Sequence, residues 1–222
     1  MSAGAVRLSE ALGIAGSAVR AFRDIGAGVD AEPVGSVRRC RPIVGDVEVL
    51  VDARALGEAS ATRAIGGALT ELGATRGHPN KAGARAPWGP RYFRALLPNG
   101  GEHAVQLDVF VCLPPAEYGV LRLIRTGSRD FSQAVVTRLH RYNLESRDGR
   151  VVNRTSGKPV STPTEEGVLR LARLPWIPPS DREMDFPRTL AAFQREAGPD
   201  ECQDPPTTCR ICGMAHRRGP CP

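Results

Sequence analysis

Asp46 and Glu48 give this sequence its first claim to chemistry. They alternate with Val47, Val49 and Val51, the period-2 pattern of a β-strand. That geometry puts both carboxylates on one face, about 7 Å apart along the strand. Two acids so placed repel unless a hard cation sits between them, and oxygen-rich sites suit Mg²⁺. Just upstream stands Gly35-Ser36-Val37-Arg38-Arg39. A Gly-Ser turn frees peptide N–H groups and a hydroxyl for phosphate oxygens, and the two arginines add fixed positive charge. A phosphate cradle beside metal carboxylates implies nucleotidyl transfer, whereas a solvated strand edge behind a glycine turn would leave the Gly-Ser-x-Arg-Arg spacing unexplained.

These segments must be held by elements on either side. A helix is expected from about Leu8 to Arg23, with Leu8, Leu12, Ala15, Val19 and Phe22 near helical spacing, and a second from Ala59 to Leu72. Residues 75–88 read as a loop or irregular hairpin. Tyr92 to Leu97 reads as a strand, Pro98-Asn99-Gly100-Gly101 as a hairpin turn, and His103 to Leu113 as the partner strand. On that partner Val105, Leu107, Val109 and Val111 share one face, and Gln106, Asp108, Phe110 and Cys112 the other. Burying Asp108 alone in such an apolar run would be costly. Further helices are expected at 117–124 and 131–142. Between Arg122 and Arg154 eight arginines face only Asp130, Glu145 and Asp148, an excess that favours contact with a nucleic-acid backbone.

Composition sets the class. The chain has 222 residues, 41% hydrophobic and 24% charged, as expected of a soluble globular protein. Its formal charge is +6, and 28 of its 30 basic residues are arginine. Arginine suits phosphate recognition, although genomic base composition produces the same bias. No apolar run approaches the roughly 18 residues that span a bilayer, and Met1 to Glu10 lacks an export pattern, so the expected location is the cytoplasm, with no membrane partner. Four of six cysteines lie in the last 21 residues, where Cys209-x2-Cys212-x3-His216-x4-Cys221 offers three thiolates and an imidazole to a tetrahedral, structural Zn²⁺. Cys202 is a spare candidate.

Taken together, Gly35-Ser36, Gly45-Asp46-Val47-Glu48, Val105 to Phe110 before Pro114-Pro115, and Thr126-Gly127-Ser128 resemble the signature of the DNA polymerase beta superfamily, more narrowly family X. The resemblance runs from about residue 6 to 183 and takes in the Leu174-Pro175-Trp176 turn and Pro178-Pro179. It implies an α+β fold: a nucleotidyltransferase palm with a mixed β-sheet flanked by helices (1–113), a small α+β thumb-like subdomain (114–183), a linker (184–208) and a zinc knuckle (209–222). It further implies that Asp46, Glu48 and Asp108 hold two Mg²⁺ ions, or Mn²⁺. Gly35, Ser36, Arg39 and Gly45 would hold phosphates, and Gly127 and Ser128 would position the nucleotide. The family usually has Asp where Glu48 stands, a change the wider superfamily accepts. Two aromatics that line the sugar in vertebrate members are here Ile124 and Arg125, and an expected asparagine is Ser132. The implied activity is DNA-directed DNA polymerisation in short-gap repair by a monomer using nucleoside triphosphates, with single-stranded nucleic acid at the tail. A template-independent transferase acting on RNA, single-stranded DNA or a small molecule, and a non-enzymatic binder, are the competing expectations.

Overall fold

The acids are positioned by a five-stranded mixed sheet whose two faces are covered by different helices. The computed structural model describes residues 4–78, 85–99 and 104–183, with the two short strands Thr207–Thr208 and Ala215–His216. The order is β1 (Val6–Arg7), α1 (Leu8–Arg23), β2 (Asp30–Pro33), α2 (Gly35–Arg38), β3 (Ile43–Val44), β4 (Val47–Asp52), α3 (Glu58–Glu71), β5 (Thr75–Arg76), β6 (Tyr92–Pro98) and β7 (Ala104–Cys112). The main sheet runs β2-β4-β7-β6-β5. Its central pair, β4 and β7, is parallel, because α3 and the β5–β6 excursion intervene; the remaining pairs are antiparallel.

Alternation along the strands separates the faces as the sequence implies. Val47, Val49 and Val51 of β4 and Val105, Leu107, Val109 and Val111 of β7 join one core with α1 and α3. Leu50, Phe110 and Cys112 point the other way, with Val34 and Ala116, and are covered by Tyr118 and Leu121. One correction concerns α1. Its buried stripe is Ala11, Ala15, Ala18, Val19 and Phe22, while Leu12 is half exposed. The alanines let the helix approach the sheet closely, and Leu12, one residue and about 100° round from Ala11, falls outside that stripe.

The second part of the chain continues with α4 (Tyr118–Thr126), α5 (Arg129–His140), β8 (Leu144–Arg147), β9 (Arg150–Asn153), β10 (Pro159–Val160) and α6 (Glu165–Leu171). Strands β8, β9 and β10 form an antiparallel three-stranded sheet. Helix α5 begins two residues earlier than its apolar spacing suggests, because the Ser128 hydroxyl accepts a hydrogen bond from the Phe131 amide and starts it.

The chain divides into two compact units, Met1–Phe186 and Pro187–Pro222. The expected palm–thumb division at residue 113 falls inside the first. In the second, β11 (Thr207–Thr208) pairs antiparallel with β12 (Ala215–His216). The candidate zinc ligands Cys209, Cys212 and Cys221, and the spare Cys202, lie outside the described residues. Of His216 only the backbone is described. Among the described residues no helix is long and apolar enough to cross a membrane.

Candidate active site

The parallel pairing of β4 with β7 sets Glu48 directly across from Asp108. Paired residues of neighbouring strands share a face, so the two carboxylates stand on the face that carries Leu50 and Phe110. Asp46 lies in the bend just before β4 rather than on the strand, yet it stays with them: the Gln106 side-chain amide donates to Asp108 Oδ2 at 3.3 Å and reaches Asp46 Oδ2 at 3.5 Å. Three acids separated by as many as 62 positions are thus brought to one face of one sheet, over its central strands.

Their electrostatics register the crowding. Burial pushes the Glu48 carboxyl up to about 7, with the Asp46 and Asp108 charges adding to the rise and Arg39 and Arg125 opposing it. Asp46 is raised as well, first by burial and then by Asp108, against Arg94. Asp108, 3% exposed, is gripped by the Arg94 guanidinium, with Nε and Nη2 each 3.0 Å from a carboxylate oxygen. Arg94 and Gln106 therefore occupy the Asp108 oxygens. Accordingly, among the described residues no three His, Cys, Asp or Glu side chains are drawn together tightly enough to form a ligand set as they stand.

The glycine-serine turn is one turn of helix, α2, directly beside Glu48. Gly35 has φ of +60°, and a Cβ there would land on the Glu48 carboxylate, so glycine is demanded twice over. The Ser36 hydroxyl oxygen is buried and has no hydrogen-bond partner. An orphaned hydroxyl costs free energy unless something external satisfies it. That orphan and the oxygen-only donor set fit a phosphate and a hard divalent cation. Gly45 lies in the exposed bend leading to Asp46.

Two expected nucleotide contacts are otherwise engaged. Arg39 Nη1 donates to the Thr126 carbonyl at 2.8 Å and its Nε to Glu183 at 3.1 Å. The Ser128 hydroxyl caps α5, and a Cβ on Gly127 would strike the Phe131 ring. Arg38 reaches Thr126 Oγ1 at 2.6 Å and Glu165 at 2.6 and 2.8 Å, tying the cradle to the end of α4 and the start of α6. Along the junction of α4 and α5 runs an open groove of about 300 Å³ lined by Ile124, Arg125, Gly127, Arg129, Ser132 and Gln133. Arg125 links groove and acids, since its guanidinium lies 3.9 Å above Phe110, which stacks on Tyr92 at 5.0 Å.

Sequence reasoning missed Arg94, Gln106 and Glu183. The first two were within reach, because Arg94 is a charge inside an apolar strand and Gln106 is two residues from Asp108 on the same face. Glu183 joins Arg39 across 144 positions, and no local pattern marks it. No known protein-family model matches the chain, and no curated protein shows significant similarity to it.

Proposed function

We propose that the Met1–Phe186 unit is a nucleotidyltransferase of the DNA polymerase beta superfamily, with the sheet as its palm. Within that class it acts as a family X type DNA-directed DNA polymerase, adding nucleotides to a primer 3′-hydroxyl in short gaps. The observation that carries this is the register of Glu48 with Asp108 beside a glycine cradle whose serine hydroxyl is buried and unpartnered. Asp46, Glu48 and Asp108 would hold Mg²⁺, which when bound neutralises triphosphate charge and makes the 3′-hydroxyl more acidic. Gly35 and Ser36 receive the terminal phosphates through backbone N–H groups and the Ser36 hydroxyl. Arg94 holds the Asp108 carboxylate in place, and its grip on the two oxygens would have to loosen for Asp108 to take up a cation. The groove by Gly127 takes the sugar and base, and the triphosphate points toward the acids. The primer hydroxyl attacks the α-phosphorus in line and pyrophosphate leaves; positioning and charge, rather than covalent participation by a side chain, lower the barrier. The tail, with Cys209, Cys212, His216 and Cys221 around Zn²⁺, would add a grip on single-stranded nucleic acid.

Primer extension tests this. Gapped duplex should be extended with the template-matched nucleotide and Mg²⁺. No extension of any primer would overturn the reading. A second reading keeps the chemistry and changes the acceptor, because Ile124 and Arg125 line the groove where the resemblance expects two aromatics. Extension of single-stranded DNA or RNA primers without regard to template would select that one.

A further inference from the structure

Past the far end of α5, Tyr142 presents an exposed aromatic ring among arginines. Tyr142 is 38% exposed, and the guanidinium carbons of Arg138 and Arg173 lie 6.0 and 5.9 Å from its ring centroid. Both guanidinium groups lie over the ring at the outer range of a cation–π contact, farther than the 3.9 Å at which Arg125 lies over Phe110. The ring keeps an exposed surface beside them. Arg138 is held in place by donating to the Ala172 and Arg173 carbonyls at 2.6 and 3.4 Å. Arg173 itself has φ of +53° and Asn143, next to Tyr142, +57°. Two non-glycine residues in the left-handed region are costly, and here they set how the ring and the exposed guanidinium are presented. Arg141 and Arg173 are exposed and pair with no carboxylate among the described residues.

An exposed ring with unneutralised guanidinium groups beside it matches a base plane with phosphates at its edge. In paired duplex the base faces are hidden, so the match is to unpaired nucleotides. We propose that Tyr142, with Arg141 and Arg173, is a stacking platform for an unpaired segment of DNA, one base on the ring and its phosphates on the arginines. On the polymerase reading, on which this rests for its biological sense, the segment is template lying a few nucleotides from the groove, since α5 spans about 18 Å between the two.

The test reads binding alone, without Mg²⁺ or nucleotide, so it stands apart from any failure of transfer activity. Fluorescein-labelled oligothymidylate is titrated with the full chain and followed by anisotropy. Tyr142→Ala should weaken binding roughly ten-fold, whereas Tyr142→Trp, with a larger ring, should bind as tightly or tighter. Arg173→Ala should weaken it and lower the salt slope by about one. A fully paired hairpin should be bound equally by the wild type and the Tyr142 variants. Unchanged oligothymidylate affinity in Tyr142→Ala, or an equal loss on the hairpin, overturns the proposal, as does tighter binding of oligouridylate than of oligothymidylate. If Tyr142→Ala unfolds, the Tyr142→Trp and Arg173→Ala results decide: weaker binding by the first, or an unchanged salt slope in the second, overturns it.

Discussion

Glu48 and Glu165 are both withdrawn from water, and the structure treats them in opposite ways. Glu165 is fully buried, and burial alone would raise its pKa. Hydrogen bonds from Arg38 and Arg182 outweigh that and hold it below the usual range, with Arg122 Nη1 adding a contact at 3.4 Å. Glu48 has two further acids and no comparable clamp, and is pushed up to about 7. The first carboxylate is satisfied by the fold and ties α2, α4 and α6 together. The second is left in deficit, and on the proposed reading a divalent cation supplies the missing partner. Buried charge by itself does not mark a site; buried charge that the fold leaves uncompensated does.

The largest effect should come from breaking the deficient centre. Asp108→Asn removes the most buried of the three acids at nearly constant volume. Incorporation should fall by at least about a thousand-fold, the scale on which catalytic electrostatics is lost, while the circular dichroism spectrum and the bound stoichiometry of DNA stay the same. Extension at the wild-type rate would place the acids outside the chemistry.

Breaking the satisfied centre should do the reverse. Glu165→Gln leaves Arg182, itself fully buried, without a counter-charge. The expected cost is about 3–5 kcal/mol in urea unfolding, the range for stripping one partner from a buried pair. A loss below about 1 kcal/mol would mean that water reaches the cluster, and the contrast with Glu48 would collapse.

Much of this contrast was legible in the sequence. The alternation at Val47 to Val51 and along β7, with Asp108 opposite in phase to its valines, carries the sheet, the two faces and the identity of the acids. The parallel register that pairs Glu48 with Asp108 was not legible from either strand, because it depends on how far the β5–β6 excursion displaces β7. The roles of the arginines were legible least. Eight of them between residues 122 and 154 looked like a nucleic-acid surface, yet Arg122 pairs with Glu32 and Glu165, Arg138 binds backbone carbonyls, and Arg147 and Arg154 flank Glu145. A guanidinium reads the same in sequence whether it faces solvent or clamps the fold. Only long-range packing decides which, and Arg38 and Arg39, 87 or more positions from their partners, show it.

A pH titration sharpens the Glu48 side. Its folded-state pKa of about 7 stands above the reference value of 4.5. A raised carboxyl binds its proton more tightly when folded, so its contribution to stability is fully present below about pH 4.5 and is lost as pH rises through about 7. Thermal unfolding without divalent ions should therefore show declining stability across that window. Mg²⁺ should restore more of it at about pH 8 than at about pH 6, because the cation binds the ionised form. Glu48→Gln should flatten the decline and remove the Mg²⁺ effect. An equal Mg²⁺ shift in wild type and variant would put the cation elsewhere.

The smallest effect separates structure from binding at Ser128, where the resemblance expects a nucleotide contact and the hydroxyl caps α5. If the hydroxyl serves α5 alone, Ser128→Ala should cost about 1 kcal/mol of stability, and Ser128→Asn, another good cap, should recover most of it. Both should bind nucleotide with near wild-type KM, since the groove is formed by the Gly127 backbone and the side chains around it. A KM raised several-fold in Ser128→Asn, with stability restored, would return Ser128 to the nucleotide and leave α5 to be started by the turn itself.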